Sequence, residues 1–159
     1  MDIRIGHGYD VHAIAEGLKM HLGGVEIPSS AGFVAHSDGD VAIHALCDAI
    51  LGALALGDIG HLFPDTDPKW KDTDSKVLLS EVITLAAKKG WKLGNADITI
   101  ALQKPKLAPH ISRMRRTLAG VIGCSEDAVS VKATTTERLG FVGRGEGCEV
   151  WASVLMVTF

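Results

Sequence analysis

The chain has 159 residues, 47% of them apolar and 22% charged, with a formal net charge of −3. These values fit one continuous globular domain, residues 1–159, with room for a real core, and they argue against a broad basic surface for nucleic acid. No apolar stretch is long enough to span a membrane and no basic-then-apolar leader opens the chain, so neither a membrane span nor a secretory signal is expected.

Ile3-Arg-Ile-Gly6 reads as a first strand, followed by a loop through His7 to His12. Lys19 to Ile27 contains a second strand, with Gly23-Gly24 marking a bulge or a close approach. Ser37 can cap the next helix, with Asp40 at the capping-box position, and that helix ends near Gly57. A turn-rich loop, Phe63-Pro-Asp-Thr-Asp-Pro68, comes next. Asp74 caps a second helix that runs to Lys88-Lys89, with Gly90 as its stop. Asn95 to Gln103 alternates as a strand, and Ile111 to Ile122 forms a third helix stopped by Gly123. Its basic run, Arg113-Met-Arg-Arg116, reads as a solvated face. Val129 to Thr135 and Glu149 to Phe159 are strands, with the glycine-rich loop Gly140 to Gly147 between them.

These elements predict an α+β fold with a single four- to five-stranded mixed sheet and helices on one face. The other face, judged from Val154-Leu-Met-Val157, would be apolar and need an oligomer to cover it. Cys47, Cys124 and Cys148 are odd in number with no CxxC pair, which reads as reduced thiols and leaves any zinc to other ligands. Trp70, Trp91 and Trp151 read as packing residues.

The most informative feature is polar. From Val41 to Leu56 the chain is almost wholly apolar, the pattern of a helix hidden on most sides, yet Asp40, His44 and Asp48 recur on one face. A buried charge is costly unless it is paired or holds a metal. Asp10-Val-His12 places two ligand-type side chains at i and i+2, on one side of an extended segment. With His44 they would make an Asp/His/His set that suits zinc with one position open. Asp40 and Asp48 would then orient the imidazole from behind.

Other candidates are weaker alone. His36 and Ser37 precede the helix, where free amides favour an anion, although Ser37 also serves as a plain cap. Asp58 could accept hydrogen bonds from a polyol or simply form a turn. Asp65 and Asp67 could be paired carboxylates or a solvated turn. Thr134-Thr-Thr-Glu137 offers hydroxyls to phosphate and a carboxylate to magnesium. Arg144 sits among glycines that would let backbone approach a ligand. Lys104-Pro-Lys-Leu-Ala-Pro109 could expose backbone groups to a base edge.

Five motifs in collinear order carry a resemblance. Gly8-Tyr-Asp-Val-His12, Ala35-His-Ser-Asp-Gly-Asp-Val41, Ala55-Leu-Gly-Asp-Ile-Gly60, Phe63-Pro-Asp-Thr-Asp67 and Lys132-Ala-Thr-Thr-Thr-Glu-Arg-Leu-Gly-Phe141 together resemble the 2-C-methyl-D-erythritol 2,4-cyclodiphosphate synthase family over essentially the whole chain. The resemblance implies a homotrimer whose sheets pack around a central axis, with active sites at subunit interfaces. It implies cyclisation of 4-diphosphocytidyl-2-C-methyl-D-erythritol 2-phosphate with release of CMP, in the non-mevalonate route to isoprenoid precursors. By motif, Asp10, His12 and His44 would hold Zn2+ beside the substrate, and Glu137 would hold Mg2+ or Mn2+ on the diphosphate. His36 and Thr135 would stabilise the transition state, with Ser37 nearby. Asp58, Ile59 and Gly60 would meet the methylerythritol hydroxyls under a flap of Phe63, Pro64, Asp65, Thr66 and Asp67. Thr134, Thr136, Phe141 and Arg144 would meet the phosphates or the trimer axis. Leu102, Gln103, Lys104, Pro105, Lys106, Leu107 and Ala108 would form a cytidine pocket against a neighbouring subunit.

Two segments depart from the family pattern. Lys104-Pro-Lys-Leu-Ala-Pro109 stands where Ala-Pro-Lys-Met-Leu-Pro is common, which preserves backbone recognition but alters packing on the base. Cys148-Glu-Val-Trp151 replaces a smaller pattern and would alter a cavity on the trimer axis. Two rival readings remain at this level: a metal-dependent phosphohydrolase of a cytidine diphosphate derivative, and a non-catalytic nucleotide- or metal-binding module.

Overall fold

The computed structural model describes residues 1–159. Its longest strand, β1 (Ile3–Glu16), absorbs the segment expected to be a loop at His7 to His12. Alternation explains why: the odd-numbered residues from Ile3 to Ala13 are exposed, while Gly6, Gly8, Asp10 and His12 turn the other way. Short strands β2 (Met20–Leu22), β3 (Val25–Ile27) and β4 (Ala31–Phe33) follow. The single strand expected over Lys19 to Ile27 is instead the β2–β3 hairpin. Gly23 and Gly24 take φ of 63° and 80°, the left-handed pair that a two-residue hairpin turn requires.

Helices α1 (Val41–Ala53), α2 (Ile59–Leu62) and α3 (Ser75–Lys88) come in succession, and then β5 (Trp91–Ala101), α4 (Ile111–Ile122), β6 (Val129–Thr134) and β7 (Gly147–Thr158). The glycine-rich loop expected between the last two strands includes a single helical turn, α5 (Gly140–Gly143). The expected bounds of α3 and α4 hold: Asp74 caps α3, and Gly123 ends α4 at φ 79°.

Five strands form one mixed sheet in the order β4-β1-β7-β5-β6, antiparallel except for β5 and β6, which α4 connects in parallel. Helix α1 packs across β1 and β7 on one face, as expected of an α+β fold with one-sided helices. The open face has aliphatic residues at one end and Tyr9, Val11 and Trp151 toward the other. At the first end Ile3 pairs with Val157 and Ile5 with Leu155, while Val154 and Met156 point inward and are buried. The middle of the face is polar, with His7, Ser153 and Asp97 in one row.

The packing of α1 on β1 is unusually intimate. A Cβ at Gly6 would lie 1.9 Å from the Ala49 carbonyl oxygen, and one at Gly8 would lie 1.9 Å from that of Ala45. Only bare strand backbone lets the helix come this near.

The cap of α1 differs from expectation. Asp40, not Ser37, is the N-cap, and its side chain accepts from the Ile43 amide at 3.0 Å. It also accepts from the amides of Gly23 and Gly24 at 2.9 and 2.7 Å. Asp40 is fully buried, so burial pushes its carboxyl pKa upward while these amide donors pull it down.

Two stability measurements follow from this packing. Gly8→Ala should lower unfolding stability by about 3 kcal/mol through steric overpacking, read by urea denaturation; an effect near zero would mean that α1 can lift off β1. Asp40→Ala should cost about 3 kcal/mol, because it strands three amides, two of them in buried bonds, and removes a cap. A loss well under 1 kcal/mol would show that water replaces the carboxylate.

Candidate functional site

Strand alternation puts Asp10 and His12 on the helix-facing side of β1, and the close seat of α1 brings His44 down between them. Asp10 Oδ2 lies 3.2 Å from His12 Nε2 and 3.1 Å from His44 Nδ1, and the two imidazole nitrogens are 3.2 Å apart. Three ligand-type atoms at one point form a group able to bind a divalent metal. The spacing fits such an ion: tetrahedral bonds of about 2.0–2.1 Å put ligand atoms roughly 3.3 Å apart. Burial opposes the charge on Asp10, but hydrogen bonds and positive charge from His12 and His44 outweigh it and hold the carboxyl well below its usual range. For His44 burial favours the neutral ring, and Asp10 overcomes it to raise the imidazole pKa.

The remaining polar atoms on α1 serve other elements. Asp48 accepts from the Ile59 amide at 2.8 Å and so anchors the start of α2. Burial raises its carboxyl pKa. Neither the Asp40 nor the Asp48 side chain hydrogen-bonds the His44 imidazole, which corrects the expectation that they orient the ring. Both find nearer backbone donors, and an amide shut off from water there would otherwise go unpaired. The His44 Nε2 instead faces Ser75 Oγ at 2.9 Å and Ser37 Oγ at 3.2 Å. Ser75 is fully buried, and its hydroxyl donates to Asp38. Ser75 and Asp38 were not among the sequence candidates. The signal existed for Ser75, since it shares the buried stripe of α3 with Leu78, Leu79, Val82 and Ala86.

A cavity of about 300 Å3 opens over the triad. Asp10, His12, His36, Ser37, His44, Ile59, Gly60, Phe63 and Asp65 line it, joined by Ala35, Trp70 and Leu78. Trp70, read from sequence as packing, does pack edge-on against Phe63, with ring centroids 4.8 Å apart, but it also faces this cavity. His36 Nε2 lies 3.3 Å from the Asp67 carbonyl oxygen, and the His36 carbonyl accepts from the Asp72 amide at 2.9 Å. These contacts hold the Phe63 to Asp67 segment beside the triad. Asp58 caps α2 and hydrogen-bonds the His61 ring at 2.8 Å, which lowers its carboxyl pKa. Asp58, Pro64, Thr66 and Asp67 do not line the cavity.

The other sequence candidates gather elsewhere. Leu102 to Ala108 line a separate cavity of about 760 Å3, together with Ile111 and Val131 to Thr135. Thr134 and Thr135 therefore lie with this segment and not with His36. Beyond them the chain turns sharply, with Glu137 and Arg138 both in the left-handed region at φ 54° and 63°. Gln103 accepts from the Arg138 amide at 3.3 Å, and Thr135 Oγ1 from the Glu137 amide at 3.2 Å. Gly143 packs onto this turn so closely that a Cβ would meet the Arg138 carbonyl carbon at 2.1 Å. Thr136, Glu137, Phe141 and Arg144 line neither cavity, and Arg144 pairs with Glu146 at 2.7 Å.

Comparison with known proteins agrees with the resemblance drawn from the motifs. Residues 3–157 match the YgbB family. The 2-C-methyl-D-erythritol 2,4-cyclodiphosphate synthase of Alcanivorax borkumensis is 60% identical over 156 residues, which are 98% of each chain. The enzyme of the same name from Pseudomonas aeruginosa is 60% identical over 155 residues, covering 98% of this chain and 99% of that one. Among solved structures, the bifunctional IspDF of Campylobacter jejuni superposes with a TM-score of 0.96 at 46% identity, over 99% of this chain and 43% of that longer one. A CDP-bound 2C-methyl-D-erythritol-2,4-cyclodiphosphate synthase superposes at 0.90 with 42% identity, over 97% of this chain and all of its own. The CDP complex of Plasmodium falciparum IspF gives 0.86 at 36% identity, over 98% and 96%. With fold and sequence both agreeing along its length, the chain belongs to the YgbB family, that of the 2-C-methyl-D-erythritol 2,4-cyclodiphosphate synthases.

Proposed function

We propose that this chain is a phosphorus–oxygen lyase of isoprenoid precursor synthesis, cyclising 4-diphosphocytidyl-2-C-methyl-D-erythritol 2-phosphate to the 2,4-cyclodiphosphate with release of CMP. The observation that carries this reading is the convergence of Asp10 Oδ2, His12 Nε2 and His44 Nδ1 at mutual distances of 3.1–3.2 Å beneath a cavity. Relatives of the same name at 60% identity, and structures of relatives with CDP bound, supply the substrate class.

In the reaction a 2-phosphate oxygen attacks the β-phosphorus, and the bond from that phosphorus to the bridging oxygen breaks as CMP leaves. The nucleophile is already an anion, so no protein group need take a proton. The demands are alignment and neutralisation of charge, as in phosphoryl transfer generally. Asp10, His12 and His44 would hold zinc, and Glu137 would carry Mg2+ or Mn2+ on the diphosphate, the two ions supplying positive charge to phosphate oxygens. His36, held beside the flap by the Asp67 carbonyl, would turn its Nε2–H to a phosphate oxygen, with Thr135 donating from the far side. Asp58, Ile59 and Gly60 would accept and orient the methylerythritol hydroxyls, and Phe63 to Asp67 would cover them and exclude water. Leu102 to Ala108 would present backbone to cytosine. A cytoplasmic setting suits the free thiols of Cys47, Cys124 and Cys148, and no helix is long and apolar enough to cross a membrane.

His36 and Thr135 line different cavities of one chain, which supports a site shared between subunits of a homotrimer. Glu137, Phe141 and Arg144 would then lie toward the phosphates or the axis.

His44→Ala should abolish zinc retention and cyclisation together. Product analysis should show CMP and the cyclic diphosphate from the unaltered chain; CMP with a linear phosphate would instead identify a hydrolase. Sharing of the site can be tested by complementation. Ala133→Trp, which obstructs the larger cavity, and His44→Ala should each be inactive alone. Refolded as a 1:1 mixture they should regain about a quarter of normal activity, since each intact site needs one good half from each of two neighbours. No recovery would place the whole site in one chain.

A further inference from the structure

We propose that Ser75, held by Asp38, is the positioning residue that fixes His44 in its Nε2–H form and so readies Nδ1 to bind a divalent cation. The proposal rests on the reading of Asp10, His12 and His44 as the metal site and concerns how that site is prepared. Ser75 opens α3 and is fully buried, and its Oγ is 2.9 Å from His44 Nε2. A hydroxyl has one hydrogen to give, and an ionised carboxylate can only accept. The Ser75 hydrogen therefore goes to Asp38 Oδ1, and what remains on Ser75 Oγ toward His44 is acceptor capacity. His44 Nε2 must then be the donor.

Asp38 is fixed in this role by backbone. It accepts from the Ser75 amide at 2.9 Å through Oδ2 and from the Asp40 amide at 3.0 Å through Oδ1. Ser37 Oγ, 3.2 Å from the same imidazole nitrogen, already accepts from the Gly39 amide at 3.3 Å and offers a second, longer acceptor. A neutral imidazole carries one hydrogen, so a hydrogen on Nε2 leaves the lone pair on Nδ1. That atom is the one lying 3.1 Å from Asp10 Oδ2 and 3.2 Å from His12 Nε2. The chain from Asp38 through Ser75 to His44 thus resembles the carboxylate-backed imidazoles of metal sites, with a hydroxyl inserted between the two.

The test is zinc binding by chelator competition on metal-stripped protein, with activity measured separately. Ser75→Ala should weaken zinc roughly 10- to 100-fold, the range typical for loss of a partner behind a ligating histidine. Asp38→Asn should do the same by a different route. Its amide would donate to Ser75 Oγ, freeing the hydroxyl hydrogen to point at His44 Nε2 and favouring the wrong tautomer. His44→Ala should lose zinc altogether. In zinc-loaded, 15N-labelled wild-type protein, long-range proton–nitrogen spectra should show His44 metallated at Nδ1 with a slowly exchanging Nε2 proton. Zinc affinity unchanged in Ser75→Ala alongside a lowered melting temperature would reduce Ser75 to a tie between α3 and the loop before α1, overturning the proposal. Metal on Nε2 in the wild type would overturn it without any variant. Failure of the wild type to take up zinc at all would remove the metal reading itself, and this proposal with it.

Discussion

Helix α1 rests on the backbone of β1 and not on its side chains, because Gly6 and Gly8 leave nothing between the strand and the carbonyls of Ala49 and Ala45. That contact sets the height of the helix above the sheet, and the height decides whether His44 can reach Asp10 and His12. A methyl group at either glycine would force the helix outward. The ligand atoms, 3.1–3.2 Å apart, tolerate little such movement, since tetrahedral coordination calls for about 3.3 Å. The metal-binding geometry is thus a by-product of strand–helix packing on two side-chain-free positions.

Seating a helix this deeply leaves its polar groups with no water, and each is met from a different part of the chain. Asp40 takes the β2–β3 turn through two glycine amides, Asp48 takes the first amide of α2, and His44 takes Ser75 at the start of α3. No buried side-chain nitrogen or oxygen is left unpaired. Such pairing matters more than its net stabilisation suggests, because losing one partner exposes the other to a full desolvation penalty of about 1–3 kcal/mol. The same contacts gather around the triad the hairpin, the short helix beneath the flap and the third helix. The polar face of α1 therefore organises the site as well as supplying one ligand.

How much of this was legible depended on the range of the interactions. The period-two spacing of Asp10 and His12, the helical phase of His44, and the stop signals at Gly90 and Gly123 are local, and they hold in the structure. The roles of Asp40 and Asp48 were not legible, since their partners are backbone amides 16 to 17 and 11 residues away, and an amide carries no signature in sequence. The Gly23-Gly24 pair reads in sequence as a bulge or a close approach; the close approach is there, with a Cβ at Gly23 only 2.7 Å from Met114 Cγ, whereas the tight turn shows only in the φ values. Ser75 was half legible. Its place on the buried stripe of α3 marks it as needing a partner, yet nothing in the sequence says that the partner is His44. Cavity membership was the least readable, and Thr135 fell with Leu102 to Ala108 because β6 lies beside β5, far across the sheet order from β1.

That sheet order bears on the proposed chemistry. The larger cavity sits along the β5–β6 edge, and the triad sits where α1 crosses β1, with β7 between the two strands. A diphosphate whose cytidine end occupied one cavity and whose methylerythritol end occupied the other would have to bridge that spacing within a chain, or find both halves where two chains meet. The open sheet face favours the second arrangement. Its aliphatic end, with Ile3 and Ile5 at 62% and 81% exposure, gains by being covered, and its polar middle row of His7, Ser153 and Asp97 gives a pairing pattern that sets register. In the proposed homotrimer, copies of the same chain would cover that face, and the two cavities would complete each other across a subunit boundary. Formation of the site and burial of the exposed strand would then be one event, and a chain unable to associate would keep its metal ligands yet lack half of its substrate contacts.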